Sequence, residues 1–236
     1  MPLKANPNMN GNLITVSTRG LLFDMDGVLV SSIASVNRCW RRWAEHYRVP
    51  GAAHVTISHG VRAKDIMLGF RPDFSPADLT EGLRLIEDME IADTADLHVL
   101  PGVRVLLASL PAERWTIVSS ATRRLLLARL QAAGLPAPAQ LIAGDDVTSG
   151  KPDPEPYRRG ASLLGLQPAD CIVVEDAPSG VASGIAAGAR VLGVLGTHDA
   201  AELTLAGASW MVDSLDQVHV LTGPEGLRLQ FSAQNP

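Results

Sequence analysis

Acidic residues occur as close pairs at two places in the chain, each directly after an apolar run. The first pair is Asp24 and Asp26, and the second is Glu175 and Asp176. Closely spaced carboxylates offer the hard oxygen ligands that Mg²⁺ prefers, and an aspartate oxygen can also act as a nucleophile. Both pairs are therefore candidates for chemistry. The alternative is that Asp24 and Asp26 are ordinary turn residues before Gly27.

Two further polar features follow apolar runs later in the chain. Ser119 and Ser120 come first, and Lys151 stands between Gly150 and Pro152 on a stiff loop. A hydroxyl and the backbone N–H groups at a helix start can bind an anionic oxygen, and an ammonium group neutralises carboxylates or a phosphoryl group. Neither serine lies in a Gly-x-Ser-x-Gly elbow, so the sequence gives little support to a serine hydrolase.

Two other motifs do not fit the spacing. A calcium loop that starts at Asp24 would place Val28 and Ser35 at ligand positions, and neither is a carboxylate. The segment from Gly144 to Lys151 has one residue too many for a phosphate-binding P-loop, and Pro152 replaces the Ser or Thr that would hold a metal. The acidic pairs are therefore not explained by either loop.

Apolar runs typical of buried strands alternate with segments typical of helices. The predicted strands are 21–23, 115–118, 141–143, 171–174 and 190–194, and the predicted helices are 121–133, 154–164 and 179–187. This alternation indicates a parallel sheet covered on both faces. We therefore predict an α/β fold, a doubly wound parallel sheet, in which the polar groups that follow the strands meet at one edge.

One long segment interrupts the alternation. Residues 33–97 contain amphipathic helical stretches and no convincing buried strand, which predicts a small helical cap inserted above the ligand edge of the sheet. The rest of the chain is predicted to divide into a flexible N-terminal tail at 1–18 and a catalytic core made of 19–32 and 98–236.

Composition limits the partners of the chain. Its 236 residues include 20 basic and 25 acidic ones, a formal net charge of −5, so nucleic acid is not expected as a partner. Cys39 and Cys171 are far apart and form no CxxC pair, which fits a reducing compartment. No segment is typical of a signal peptide or a membrane span. We predict a cytoplasmic protein with no membrane partner, and a monomer as the simplest state.

The four polar features resemble, in order and spacing, the four motifs of the haloacid dehalogenase-like (HAD) hydrolase superfamily. The matching segments are 23–29, 117–120, 150–152, and 173–176 with Gly180, and the resemblance spans about residues 19–215. The segments 58–62, 150–157 and 175–180 look most like glycerol-phosphate and 2-deoxyglucose-6-phosphate phosphatases. The resemblance implies a Rossmann-like core with a mobile helical cap.

The resemblance also implies roles for individual residues. Asp24 is the nucleophile that forms an aspartyl-phosphate, and Asp26 is the general acid that protonates the leaving alcohol and later activates water. Ser119 and Lys151 stabilise the phosphoryl oxygens. The family pattern further implies a cis peptide before Pro152.

A metal site is part of the same implication. Mg²⁺ is expected to be held by Asp24, Asp26 and Asp176, with Glu175 either as a ligand or beside one. The i, i+2 spacing of the first pair allows one side chain and one backbone carbonyl to face a common point.

Four residues are predicted to contact the substrate. These are His59, Gly60 and Arg62 of the cap, and Ser120 of the core. Closure of the cap would exclude bulk water and bring His59 and Arg62 near the alcohol portion. The alternative for these two is a local structural pair or solvated charges.

Together these features predict a Mg²⁺-dependent phosphatase acting on small sugar or polyol phosphates. A sugar phosphomutase is the first alternative, although mutase relatives usually carry a histidine where this chain has Val36. A phosphoacceptor signalling module is a second, but such modules have no cap. A dehalogenase is a third, and Asp26 argues against it because a halide leaves without a proton.

Overall fold

A computed structural model describes residues 13–57, 60–223 and 226–232 of the chain. The strands are β1 (Leu13–Thr18), β2 (Gly20–Phe23), β3 (Val30–Ser31), β4 (His98–Val99), β5 (Trp115–Ile117), β6 (Cys171–Glu175), β7 (Arg190–Val194), β8 (Trp210–Val212), β9 (His219–Gly223) and β10 (Gly226–Ser232). The helices are α1 (Ile33–His46), α2 (Ala63–Phe70), α3 (Pro76–Ala92), α4 (Val103–Ser109), α5 (Arg123–Ala133), α6 (Glu155–Leu163), α7 (Pro178–Ala187) and α8 (Ala200–Ala206).

The central sheet has five parallel strands in the order β5-β2-β6-β7-β8. Its strands are buried along almost their whole length because both faces are covered. Successive residues of β2 show this: Leu21 and Phe23 pack into one apolar core, whereas Leu22 packs into a second one on the opposite face. The predicted doubly wound α/β fold is confirmed.

Helices cover the two faces of this sheet. Residues of α4 and α5 pack into the core that contains Phe23, and residues of α6, α7 and α8 pack into the core that contains Leu22. Among the helices of the described residues, none combines the length and apolar character that crossing a bilayer requires.

The predicted strand at 141–143 is wrong. Ile142 forms only an isolated bridge with Val118, beyond the end of β5. The chain then turns at Gly144, where a Cβ atom would lie 2.3 Å from the carbonyl oxygen of Ser120. Because the segment turns away after one residue of pairing, its apolar side chains fill the core without adding a strand.

The prediction of a flexible tail at 1–18 is wrong for residues 13–18, which form β1. This strand pairs antiparallel with β10, and β10 pairs antiparallel with β9, giving a second sheet of three strands. Its inner side buries Leu227, Leu229 and Phe231 against the core. The pairing partner of β1 lies at the opposite end of the chain, so local patterning could not reveal it. Residues 1–12 lie outside the described residues.

The first three helices form a unit between β3 and β4, which we call the cap. β3 and β4 pair antiparallel, Val30 opposite Val99, and so bring the two connections to the cap together. The cap has its own apolar core, which includes Trp40, Trp43 and Met67. This arrangement places the cap shortly after Asp24, the residue that follows β2.

Candidate active site

Lys151 holds Asp24 at the end of β2. Its Nζ atom donates to Asp24 Oδ1 at 2.6 Å, to Glu175 Oε1 at 2.7 Å and to the carbonyl oxygen of Val118 at 3.0 Å. An ammonium group has three donors, and all three are used here. Lys151, Asp24 and Glu175 are buried, so their positions are fixed within the core.

The loop that carries Lys151 follows the pattern expected from its sequence. The peptide bond between Lys151 and Pro152 is cis, as the resemblance predicted. The N–H of Asp153 donates to the carbonyl oxygen of Gly150 at 2.9 Å and closes the turn. The loop thereby directs a buried ammonium group toward the end of the sheet.

Both oxygens of Glu175 are engaged within the protein. Oε1 accepts from Lys151 and from the Tyr157 hydroxyl at 2.8 Å, and Oε2 accepts from the backbone N–H groups of Asp176 at 2.9 Å and Ala177 at 3.1 Å. A Cβ atom on Gly180 would lie 1.7 Å from Oε1, so glycine leaves room for the carboxylate. These contacts favour a supporting role for Glu175 over that of a metal ligand.

Asp176 belongs to the same buried acidic group as Asp24. The Thr197 hydroxyl donates to its Oδ2 atom, and no side chain of the described residues hydrogen-bonds its Oδ1 atom. Gly27, with a φ of +85°, allows the approach, because a Cβ atom there would lie 1.8 Å from Asp176 Oδ2. The glycine of the first motif therefore makes space for the aspartate of the fourth.

The buried acidic group of Asp24, Glu175 and Asp176 has too little positive charge nearby to balance its carboxylates. Desolvation raises the pKa of Asp24 to about 7, although Lys151 opposes the rise. Desolvation, reinforced by Glu175 and Asp24, also raises the pKa of Asp176 well above its ordinary value. The pKa of Lys151 is raised too, because the two neighbouring carboxylates outweigh its own desolvation. Three carboxylates thus face one ammonium group.

A divalent cation fits this imbalance. One oxygen atom from each of Asp24, Glu175 and Asp176 lies within 4.8 Å of the others. Hard cations such as Mg²⁺ take oxygen ligands of this kind, and buried carboxylates need a compensating charge. Because both oxygens of Glu175 are engaged, the side chains available as ligands are those of Asp24 and Asp176.

Asp26 points away from this group, into the space below the cap. Its Oδ2 atom accepts from Arg129 at 2.6 Å, and its Oδ1 atom accepts from the Ser32 hydroxyl at 3.0 Å. The Asp26 carboxylate is therefore not a member of the buried acidic group. Asp26 could contact a metal through its carboxylate or through its backbone carbonyl. Because the carboxylate is held by Arg129 and Ser32, we consider only the backbone carbonyl as a ligand.

The two predicted serines have different surroundings. The Ser119 hydroxyl accepts from the N–H of Ala121 at 3.1 Å and lines the cavity beneath the cap. The Ser120 hydroxyl donates to the carbonyl oxygen of Gly60 at 2.7 Å and so connects the core to the cap. Ser120 and Gly60 also line the cavity.

The substrate contact of Arg62 stays a prediction, and the structure shows contacts of this side chain within the protein. Its guanidinium group donates to the carbonyl oxygens of Val147 at 3.2 Å and Thr148 at 3.0 Å, and to Asp65 at 2.8 Å. With these donors engaged, Arg62 ties the cap to the loop before Lys151. His59 lies outside the described residues.

A cavity of about 80 Å³ separates the cap from the core. Its floor carries Asp24, Asp26 and Ser119. Its polar wall is formed by Thr122, Glu87, Glu90 and Arg129, and its apolar wall includes Val36, Trp40, Ile57, Leu83, Ile86 and Leu125. The cavity thus connects the predicted nucleophile and acid with a space bounded by the cap.

Arg129, Glu90, Tyr157 and Thr197 were not predicted as site residues. For Arg129 a signal was present: it lies four residues after Leu125 and so on the apolar face of α5, where a charged residue needs a buried partner. Glu90 likewise lies four residues after the buried Ile86, and so on the buried face of α3. Tyr157 and Thr197 carry no comparable signal, because their partners are distant in sequence.

Comparison with known proteins agrees with this geometry. Hexitol phosphatase A of Escherichia coli is 38% identical over 210 residues, which cover 88% of this chain and 96% of the relative. 2-Deoxyglucose-6-phosphate phosphatase 1 of Saccharomyces cerevisiae is 32% identical over 231 residues, which cover 89% of this chain and 94% of that protein.

The fold comparison and the family comparison agree as well. The crystal structure of a hydrolase from Pseudomonas syringae superposes with a TM-score of 0.71 at 24% identity, over 84% of this chain and 95% of that one. Residues 18–188 match the family described as haloacid dehalogenase-like hydrolase. The resemblance of the four motifs is confirmed, and the chain belongs to the haloacid dehalogenase-like hydrolase family.

Proposed function

We propose that this chain is a Mg²⁺-dependent phosphatase that hydrolyses small sugar or polyol phosphates through an aspartyl-phosphate on Asp24. That it is a phosphoric monoester hydrolase rests on its family and on its phosphatase relatives. One observation carries the mechanism: Lys151 fixes the Asp24 carboxylate at the floor of the cavity, beside Asp176.

In the first half of the reaction, an oxygen of Asp24 attacks phosphorus and the bond from phosphorus to the leaving oxygen breaks. Lys151 holds the other oxygen of Asp24 in place. Asp26 gives its proton to the leaving oxygen, so the alcohol departs neutral and Asp26 becomes a carboxylate. Ser119, at the cavity floor, donates toward a phosphoryl oxygen.

In the second half, water attacks the phosphorus of the aspartyl-phosphate. Asp26 takes a proton from that water, and the bond between phosphorus and the Asp24 oxygen breaks. Inorganic phosphate and the free Asp24 carboxylate result, and Asp26 is again protonated. Asp26 faces the cavity, where it can serve both halves.

Asp24, Asp176 and the backbone carbonyl of Asp26 are the groups that we propose for Mg²⁺. When bound, the ion would shield the phosphoryl charge from the attacking carboxylate. The charge imbalance of the buried acidic group supports this assignment.

The substrate class is proposed from the relatives and from the cavity wall. The two named relatives act on hexitol phosphates and on 2-deoxyglucose 6-phosphate, as their names state. The hydroxyl oxygens of Ser120 and Thr122 line the wall and can accept hydrogen bonds from sugar hydroxyls. Ligand pockets usually measure roughly 300–1,000 Å³, and the cavity beneath the cap measures about 80 Å³, which supports the predicted mobility of the cap.

The phosphomutase alternative is less well supported. Val36 lines the cavity and is buried, and its side chain carries no group that could exchange a proton. A cytoplasmic location and a monomeric state stay predictions.

Turnover of a panel of phosphate esters tests the proposal. Glucitol 6-phosphate, 2-deoxyglucose 6-phosphate and glycerol phosphate are incubated with the protein, with Mg²⁺ or with a chelator, and released phosphate is measured. We expect many turnovers with Mg²⁺ and none in chelator. One equivalent of phosphoryl group retained on the protein, with no further release of phosphate, would indicate a signalling acceptor, and isomerisation without release would indicate a mutase.

A further inference from the structure

Two ion pairs that share one arginine connect the cap to the predicted acid. Arg129 of α5 in the core donates through one nitrogen to Asp26 Oδ2 at 2.6 Å and through the other to Glu90 Oε2 at 2.8 Å. Glu90 lies on α3 of the cap. A single guanidinium group thus bridges a residue of the catalytic loop and a residue of the cap.

The bridge is well shielded from water. The side chain of Arg129 is 7% exposed and that of Glu90 is 8% exposed. The buried Trp40 side chain lines the same cavity as Glu90 and helps to keep water from the carboxylate. Because the guanidinium fork is planar and rigid, two such partners determine its orientation. Arg129 is therefore fixed from the cap side as well as from the core side.

Asp26 is fixed from two directions in turn. Ser32 donates to one carboxylate oxygen and Arg129 to the other. Both contacts restrict rotation of the carboxyl group. Proton transfer requires this group to lie within hydrogen-bond reach of the leaving oxygen, so restricted rotation bears directly on the reaction.

We propose that Arg129 is a positioning residue that holds Asp26 where it can exchange a proton with the leaving oxygen, and that Glu90 of the docked cap holds Arg129. The inference rests on the proposed function. It adds that the placement of the acid depends on the cap through the bridge formed by Arg129 and Glu90.

The same pair of helices offers a matched control. Arg124 also lies on α5 and reaches α3, where it pairs with Glu87 and Asp88 at 2.6 Å. Unlike Arg129, Arg124 has neither Asp24 nor Asp26 among its hydrogen-bond partners in the described part of the chain. Loss of Arg124 therefore removes a contact between core and cap without changing the position of Asp26.

The leaving group separates positioning from stability. Glucitol 6-phosphate releases an alkoxide, which needs a proton, whereas p-nitrophenyl phosphate releases a stable phenolate, which needs none. The kcat/KM value covers only the steps through the first phosphoryl transfer. A residue that acts through Asp26 must therefore affect kcat/KM for glucitol 6-phosphate and spare kcat/KM for p-nitrophenyl phosphate.

The experiment compares Arg129→Met, Arg124→Met and Asp26→Asn with the wild-type chain on both substrates. We expect Arg129→Met to lower kcat/KM for glucitol 6-phosphate about 10²-fold, the lower end of a general-acid contribution, and to change that for p-nitrophenyl phosphate little. Asp26→Asn should give the same pattern, and Arg124→Met should affect both substrates equally. An equal loss on both substrates in Arg129→Met, or no loss on either, would overturn the proposal.

Two conservative variants keep the test valid if Arg129→Met does not fold. Arg129→Lys keeps one cation without the fork, and Glu90→Gln keeps the shape and an acceptor at the cap end. We expect each to give a smaller loss, again confined to glucitol 6-phosphate, and an equal loss on both substrates would refute the inference. A folded wild-type chain that hydrolyses neither substrate would instead refute the proposed function.

Discussion

Carboxylates that lie close together in this site differ in function because their hydrogen-bond partners differ. Glu175 is engaged at both oxygens, which makes it the support of Lys151. Asp24 and Asp176 each have an oxygen within 4.8 Å of an oxygen of the other. Asp26 is turned toward Arg129 instead. The surroundings of each side chain, more than its residue type, therefore assign its part in the chemistry.

The different surroundings of Glu175 and Asp176 predict different responses to Mg²⁺. Asp176→Asn should raise the Mg²⁺ concentration for half-maximal activity by an order of magnitude or more, because a charged ligand is lost. Glu175→Gln should lower kcat and leave that concentration nearly unchanged. Activity is titrated with Mg²⁺ in both variants at one pH. A larger Mg²⁺ shift in Glu175→Gln than in Asp176→Asn would show that Glu175 is the ligand.

Removal of the buried ammonium group should destabilise the protein. Lys151→Met leaves Asp24 and Glu175 buried without their counter-charge, which costs about 3–5 kcal/mol of unfolding free energy. Urea denaturation in chelator measures the loss, and Lys64→Met, at an exposed position on the cap, is the control. A loss below about 1 kcal/mol, as for an exposed pair, would contradict the geometry described for Lys151.

The sequence alone predicted those site residues that belong to recognisable motifs. Asp24, Lys151 and Asp176 are far apart in the chain, and their position after parallel strands predicted that they meet. Arg129 could not be assigned to Asp26, because helical periodicity shows that its side chain is buried but not which partner it reaches.

Helices α3 and α5 each place one charged residue on a buried face, and the two residues meet. Glu90 follows Ile86 by one turn on α3, and Arg129 follows Leu125 by one turn on α5. Apolar neighbours on both helices exclude water from the pair. Because this ion pair is buried, loss of either charge should weaken the contact between cap and core.

Titration of Glu90 should make stability depend on pH. Burial raises the pKa of Glu90 from 4.5 to about 7, against the opposing effect of Arg129, with the charges of Asp26 and Glu87 adding to the rise. Between these pH values the folded chain keeps a proton that the unfolded chain has lost. The unfolding free energy therefore falls as pH rises across this window.

Glu90→Gln isolates this contribution. Relative to the variant, the wild-type chain should lose on the order of 2–3 kcal/mol of unfolding free energy between pH 4.5 and about pH 7, because a tenfold change in proton affinity corresponds to about 1.4 kcal/mol. Urea denaturation in chelator at both pH values gives the difference, and the titration of Asp24, common to both chains, cancels. Parallel behaviour of the two chains would contradict a raised pKa at Glu90.

Element boundaries show what sequence patterning can and cannot predict. Buried strands such as β2 and β7 are continuous apolar runs with helices between them, and both were predicted within a residue. The run at 141–143 has the same composition, but Gly144 turns the chain away. β8 and α8 were missed because both are short.

At the scale of the whole molecule, the two chain ends combine in a second sheet that packs on the catalytic core. β1 and β10 contribute alternate residues to the core cluster that also contains Phe23. Phe231 lies edge-on to Trp210 with ring centroids 5.9 Å apart, which joins this sheet to the end strand of the central one. The sheet stabilises the core without contributing a residue to the cavity.

This position predicts a change in stability without a change in chemistry. Phe231→Ala should lower the unfolding free energy by about 3–5 kcal/mol, because a buried aromatic side chain leaves a cavity, and should leave KM unaltered. Leu221→Ala is the control, since Leu221 lies on the same sheet and is 51% exposed. Denaturation and steady-state kinetics are measured on both. A KM change in Phe231→Ala would show that the sheet influences the active site.

Trapping the phosphoryl group on the protein tests nucleophilic attack by Asp24 most directly. Asp26→Asn is mixed with glucitol 6-phosphate or p-nitrophenyl phosphate and Mg²⁺, quenched in acid, and the modified peptide is located by mass spectrometry. Because water activation is lost in this variant, we predict that a phosphoryl group accumulates on Asp24 with p-nitrophenyl phosphate, and that Asp24→Asn carries none. A phosphoryl group on Ser119, or phosphate release in a single turnover with no labelled protein, would contradict nucleophilic attack by Asp24.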